Sequence, residues 1–213
     1  MENKIKLNLG CGQIRPEGWI NTDSSINSFL QKLPFGKQIT TLLGGKVYLS
    51  SNMSYMNLNR KWNKFNDSSA NVVYSSHVLE HLTIKSSQLF LSEARRVLKK
   101  GGILRIVVPD LYMNSIEYVE NYPKGLAESS SYYLRTLNLH REGQYPANAS
   151  LIHKFLGFLQ GYPHQHKYMY DKNSLSELLT ANNFEQIVIC DFGKSVYIDN
   201  IEDVEKEGGG WAN

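Results

Sequence analysis

Cysteine is scarce in this chain. Only Cys11 and Cys190 occur in 213 residues, so no disulfide framework is visible and stability has to come from a packed core. A surplus of one charge sign is missing as well. Twenty-three Lys and Arg against 20 Asp and Glu leave a formal charge of +3, too small to argue for nucleic acid or an acidic membrane as partner. Long hydrophobic runs are absent. ILRIVV at 103–108 is interrupted by Arg105 and falls far short of the roughly 20 apolar residues a membrane span needs. The opening MENKIKLNLG lacks a basic-then-apolar leader pattern, so the expectation is a reducing, cytoplasmic setting in which the Asn-x-Ser sequons at Asn52, Asn66 and Asn148 are chance.

What remains is the composition of a soluble globular domain, 41% hydrophobic and 20% charged, with enough chain for one sizeable core. No internal repeat and no linker divides it, so a single domain over 1–213 is expected. KIKLNL (4–9) alternates like a strand and stops at Gly10-Cys11-Gly12. A second short strand, Trp19–Thr22, closes on Asp23. Residues 24–53 look irregular, an insertion with KVYLS as a strand candidate. NVVYSS (71–76) is β-branched and aromatic, hence a strand. SQLFLSEARRVLKK (87–100) has apolar residues at helical spacing, with Gly101-Gly102 as its stop. ILRIVV is a buried-type strand ending at Pro109-Asp110. Helices are expected at 111–121, 130–142 and 172–183, the last capped by Asn173 or Ser174. FEQIVICDF (184–192) reads as a strand, VYID as a degenerate last strand, and the glycine-rich tail as frayed.

Strands alternating with helices indicate an α/β fold with a largely parallel sheet, whose ligands sit beyond the carboxyl ends of the strands. Each notable loop falls at such an end: GCG, Asp23, SSHVLEH and PD. Glycines let the backbone turn and a ligand approach closely, while a carboxylate on the neighbouring strand end can accept both hydrogen bonds of a ribose diol. Together they describe an adenosine-type ligand. A dinucleotide fold would carry G-x-G-x-x-G opening a helix; here Gln13, Ile14, Arg15 and Pro16 follow Gly12, and no P-loop pattern exists. A nucleoside without pyrophosphate fits better.

LNLGCGQIRPEGWINTD, NDSSANVVYSSHVLEHL and EARRVLKKGGILRIVVPD, in that order and spacing, resemble the successive motifs of class I S-adenosylmethionine-dependent methyltransferases, closest to the "type 11" group linked to small-molecule and surface-saccharide pathways. HKYMYDKNSLSELLTANNFEQIVI is similar to the closing helix and strand of that family. The resemblance implies a Rossmann-like α/β fold with a cap after strand five (111–168), S-adenosyl-L-methionine as methyl donor and S-adenosyl-L-homocysteine as product. It implies that Leu9, Gly10, Cys11 and Gly12 wrap the methionine and ribose portion. By the same carry-over Asp23 and Ser24 meet the ribose hydroxyls, Asn57 and Leu58 flank the adenine, and Ser76 and His77 lie near the transferred methyl. Two departures stand out: Gln13–Ile14 replace a further motif glycine, and Asn57 stands where Asp is usual.

The acceptor would be a small molecule such as a sugar or glycolipid intermediate. His77, Asp110 and His166 are the candidate catalytic groups, with His140, His153 and His164 in or near the cap. His77-Val-Leu-Glu80-His81 does not follow the H-E-x-x-H metal pattern and offers no evident third ligand, so no metal is expected. Arg95-Arg96 and Lys99-Lys100 suit the last turns of a helix better than nucleic acid. The alternatives are a non-catalytic cofactor-binding or regulatory protein of this fold, and less so a nucleic-acid methyltransferase. A homodimer through the C-terminal sheet edge is a further expectation.

Overall fold

The computed structural model describes residues 4–24, 34–42, 52–125, 129–138 and 165–205. Five strands form one wholly parallel sheet: β1 (Lys6–Leu9), β2 (Ile20–Asp23), β3 (Ser54–Tyr55), β4 (Ala70–Ser76) and β5 (Leu98–Val107), in the order β3-β2-β1-β4-β5. The helices are α1 (Gly36–Leu42), α2 (Ile84–Val97), α3 (Leu111–Asn121), α4 (Ser129–Thr136) and α5 (Lys172–Ala181). Because every pair is parallel, all carboxyl ends lie along one edge, and the expected Rossmann-like α/β fold with a largely parallel sheet is what the chain adopts.

Side-chain alternation sends Leu7, Leu9 and Val73 to one face, where α2 supplies Phe90, Leu91, Ala94 and Val97. Phe90 meets Trp62 edge-on at 5.1 Å, and both are fully buried. Val72 and Tyr74 point to the other face. There Trp19 and the C-terminal residues Ile198, Ile201 and Val204 cover them. Arg105 clamps that cover by a two-pronged 2.8 Å pair with Glu205, whose side chain is wholly buried.

Several expectations need correction. α2 is capped by Thr83 and ends at Val97, before the glycine pair. Leu98 is already extended and buried, so the chain turns straight into β5, and Lys99, Lys100, Gly101 and Gly102 belong to that strand. Ala70 pairs with Leu98 but Val72 with Ile103, so the strand bulges where Gly101 takes φ +75° and an added Cβ on Gly102 would meet Lys99 O at 2.9 Å. Only Arg95 and Arg96 remain in the last turn of α2. α5 is capped by Asp171, which shares a capping box with Ser174, rather than by Asn173 or Ser174 itself. Residues 184–192 form no strand of the sheet, and Val188 and Ile189 are exposed. VYID forms no strand either: Ile198 instead plugs the second core cluster. Part of the irregular 24–53 stretch is the helix α1; KVYLS, most of 130–142 beyond α4, and the glycine-rich tail lie outside the described residues.

Candidate functional site

The loop after β1 is built for close approach. Gly10 has φ +73°, and a Cβ there would sit 2.2 Å from Val78 Cγ2, inside its van der Waals shell. Its amide and that of Cys11 both donate to Thr22 O at 2.9 Å, tying the loop to β2. Gly12 donates its amide to Asp23 Oδ2 at 2.9 Å and has φ +50°, yet nothing lies within 4 Å of where its Cβ would be. The backbone therefore borders open space directly beside a half-buried carboxylate. Beneath it, Asn8 Nδ2 donates to Asn21 Oδ1 and to Ile14 O, and Asn21 Nδ2 to Pro16 O, so two buried amides fix the loop's path. Burial, aided by nearby Asp23, pushes the Cys11 thiol up to about 12, which leaves it no thiolate for nucleophilic work.

The other expected binding residues divide by where they sit. Met56 N bonds Asp23 O at 3.0 Å, holding β3 against β2. Asn57 is half-buried and its Oδ1 accepts from Asn59 N at 2.9 Å. Leu9 and Leu58 are core residues, 0% and 3% exposed, so their side chains pack rather than present themselves to a ligand. Ser24 is exposed and Ser76 half-buried at the ends of their strands.

His77 follows Ser76 at the end of β4. Its amide bonds Val107 O at 3.0 Å, locking it between β4 and β5, and its φ of +52° turns the chain sharply. Nδ1 lies 3.2 Å from Glu80 Oε1. With the Glu80 carboxylate as partner, Nδ1 carries the hydrogen and Nε2 is left as the basic nitrogen. Glu80 is 0% exposed and its Oε2 has no hydrogen-bond partner among the described residues. Its backbone carbonyl accepts from Lys167 N and Tyr168 N, so the segment 165–170 is strapped to this turn.

That strap brings in His166. Its ring meets His81 edge-on at 4.9 Å, while His81 Nδ1 lies 3.3 Å from Gln165 O. Burial lowers the pKa of both histidines, and each is further lowered by a neighbouring histidine, so both rings are neutral at pH 7. Asp110 stands apart in role: it is exposed and its Oδ1 accepts from Tyr112 N at 2.8 Å, the N-cap of α3. His140, His153 and His164 lie outside the described residues. Sequence reasoning passed over Glu80 as a working group and over Asn8 and Asn21. A buried acid between two histidines, and asparagines in otherwise apolar strands, were the signals.

Residues 48–106 match the family model described as a methyltransferase domain. The match runs from β3 through most of β5 and includes the His77–His81 turn. The matched stretch, 59 of 213 residues, is similar to a methyltransferase domain. No curated protein matches the sequence. Among solved structures, a SAM-dependent methyltransferase from Methanosarcina mazei is 18% identical, with a TM-score of 0.44 over 87% of this chain and 82% of that one. A methyltransferase in complex with the Haloferax volcanii Trm112 activator is 17% identical, with a TM-score of 0.34 over 63% of this chain and 59% of that one. PKMT2 from Rickettsia typhi is 11% identical at a TM-score of 0.44, over 85% of this chain and 38% of that one. The chain thus spans 59% and 38% of the first two structures it matches, less than two thirds of either. Likenesses this distant carry nothing about acceptor or partner. Among the described residues no helix is long and apolar enough to cross a membrane.

Proposed function

We propose that the chain, acting as a single domain, methylates a nucleophilic atom, most simply a hydroxyl, of a small molecule such as a sugar or glycolipid intermediate. The observation that carries this is the His77–Glu80 pair at the end of β4, on the same sheet edge as the Gly12–Asp23 cradle. The cradle fits the donor: Gly12 leaves room no other residue would, and Asp23 offers a carboxylate to a ribose diol. Asn57 supplies an amide toward an adenine edge. When bound, S-adenosylmethionine supplies an activated methyl group.

The chain's own task is to hold the acceptor in line and to take its proton. Positioning of this kind is worth roughly 7–11 kcal/mol. His77 Nε2 removes the acceptor proton, and Glu80, held without solvent, keeps the ring in the right tautomer and steadies the imidazolium that forms. A positioned base adds about 10²–10⁴ in rate. Asp110, engaged as a helix cap, is the weaker of the expected catalytic groups, and His166 enters only through the cluster beside Glu80.

The test is a methyl-transfer screen with isotope-labelled donor over sugar, glycolipid and phenolic acceptors. Wild-type activity that falls by about 10² or more in His77→Ala, with donor binding retained, supports the assignment. Donor binding with no transfer to any acceptor would favour the non-catalytic, regulatory alternative.

A further inference from the structure

Glu80, His81 and His166 form a cluster of which the proposed methyl transfer uses only Glu80, through its Oε1. One ligand-capable atom from each lies within 4.8 Å of the others, and no other such group with a third ligand exists among the described residues. The geometry points to a binding site for a divalent transition ion of the zinc class, held by one carboxylate and two imidazoles.

Four features support it. Glu80 is 0% exposed, and its Oε2 is without a hydrogen-bond partner among the described residues, an uncompensated cost that an ion would remove. His81 has Nδ1 committed to Gln165 O, which leaves Nε2 as the ligand; a metal-bound histidine characteristically gives its other nitrogen to a carbonyl. His166 is similarly arranged, with Nδ1 3.2 Å from Met169 Sδ. Two imidazoles and a carboxylate are a donor set zinc takes readily, with a fourth position left for water or an acceptor oxygen.

Three donors about 2.0–2.2 Å from one tetrahedral ion lie about 3.4 Å from one another, so closure asks donors now up to 4.8 Å apart to draw together by about 1.4 Å, within reach of side-chain rotation. His77 is not the partner of His81 here, although the two are four residues apart. Residues 79–81 form a 3₁₀ turn and His77 lies outside it with φ +52°, so the pair does not share a helix face. The third ligand comes instead from residue 166, brought in by the hydrogen bonds from Lys167 N and Tyr168 N to Glu80 O. Glu80 would then serve the ion through Oε2 and His77 through Oε1, coupling the site to the proposed base.

Tag-free full-length protein, stripped with EDTA, is titrated with Zn²⁺ by calorimetry and with Co²⁺ by visible absorption, both without S-adenosylmethionine. The expected result is one saturable equivalent and an intense low-symmetry Co²⁺ spectrum. His166→Ala and Glu80→Gln should each weaken affinity at least about 10-fold, while Cys190→Ser leaves it unchanged. Far-UV circular dichroism of the metal-free variants establishes that each is folded, and His166→Gln repeats the test with a side chain of similar size. No saturable binding, or binding equally tight in the folded His166 variants, overturns the site. Neither outcome touches the methyl-transfer reading, since no donor or acceptor is present.

Discussion

Gly10 and Gly12 differ by one residue position in the same loop and should fail in different ways. Alanine at Gly10 incurs two costs. Its φ of +73° places a Cβ-bearing residue in the left-handed region, at about 1–2 kcal/mol. The same Cβ falls 2.2 Å from Val78 Cγ2, an overpacking that costs about 1–3 kcal/mol more. The sum, about 2–5 kcal/mol, corresponds to a fall in Tm of roughly 4–20 °C for a chain of this length. Alanine at Gly12 has only the backbone term, because nothing lies within 4 Å of its Cβ. That is about 1–2 kcal/mol, or roughly 2–8 °C. Its effect should appear in binding, since the methyl group enters the space assigned to the donor. Thermal unfolding of both variants, alone and with S-adenosylhomocysteine, separates the two. A double-mutant cycle with Val78→Ala should give a favourable coupling of about 1–3 kcal/mol with Gly10→Ala and none with Gly12→Ala. Equal losses of Tm in the two variants, an absent coupling at Gly10, or an undiminished ligand response in Gly12→Ala would refute the reasoning.

Other consequences follow from particular contacts. Glu205→Gln leaves a mostly buried Arg105 without its counter-charge and should cost about 3–5 kcal/mol by urea unfolding, whereas Arg105→Met with Glu205→Leu should come close to wild type. Asp110→Ala should lose about 0.5–2 kcal/mol through the cap of α3 while Asp110→Asn loses little, and kcat should follow neither if the residue is only a cap. In chelator-treated protein, the lowered pKa values of His81 and His166 mean that the unfolded chain binds more protons than the folded one as pH falls below about 6.5. Stability is therefore full well above that pH and declines as pH falls through it toward the lowered folded-state values, a slope that urea midpoints should show and that His166→Gln should reduce. Phe90→Ala, opening space under Trp62, should cost about 3–5 kcal/mol.

The sheet was legible because its strands carry local patterns: KIKLNL alternates apolar and polar residues, while ANVVYSS and ILRIVV are rich in β-branched and aromatic residues. The glycine loop and Asp23 were legible because turn chemistry is local. Misreadings arose where tertiary contact overruled a local signal. Gly101-Gly102 looked like a helix stop, yet burial of Val97 and Leu98 had already drawn the chain into β5, leaving the glycines to form a bulge. FEQIVICDF has the composition of a strand, but the described structure gives it no ladder partner, while Ile198 and Ile201, weak as sequence signals, close the far face of the sheet. The His77–Glu80 contact spans only three residues and could be suspected. The approach of His166 to His81 could not, because 85 positions separate them and only the backbone bonds to Glu80 O bring the two segments together.

The central claim is that the β1–β2 edge holds the methyl donor. Calorimetric titration of full-length protein with S-adenosylhomocysteine, with NAD as control and Asp23→Ala in parallel, tests it most directly. The account predicts one saturable site for the thioether, none for NAD, and affinity reduced at least about 10-fold in a folded Asp23→Ala, equivalent to about 1.4 kcal/mol. Binding that is absent in the wild type, or unchanged when Asp23 is removed, would contradict it.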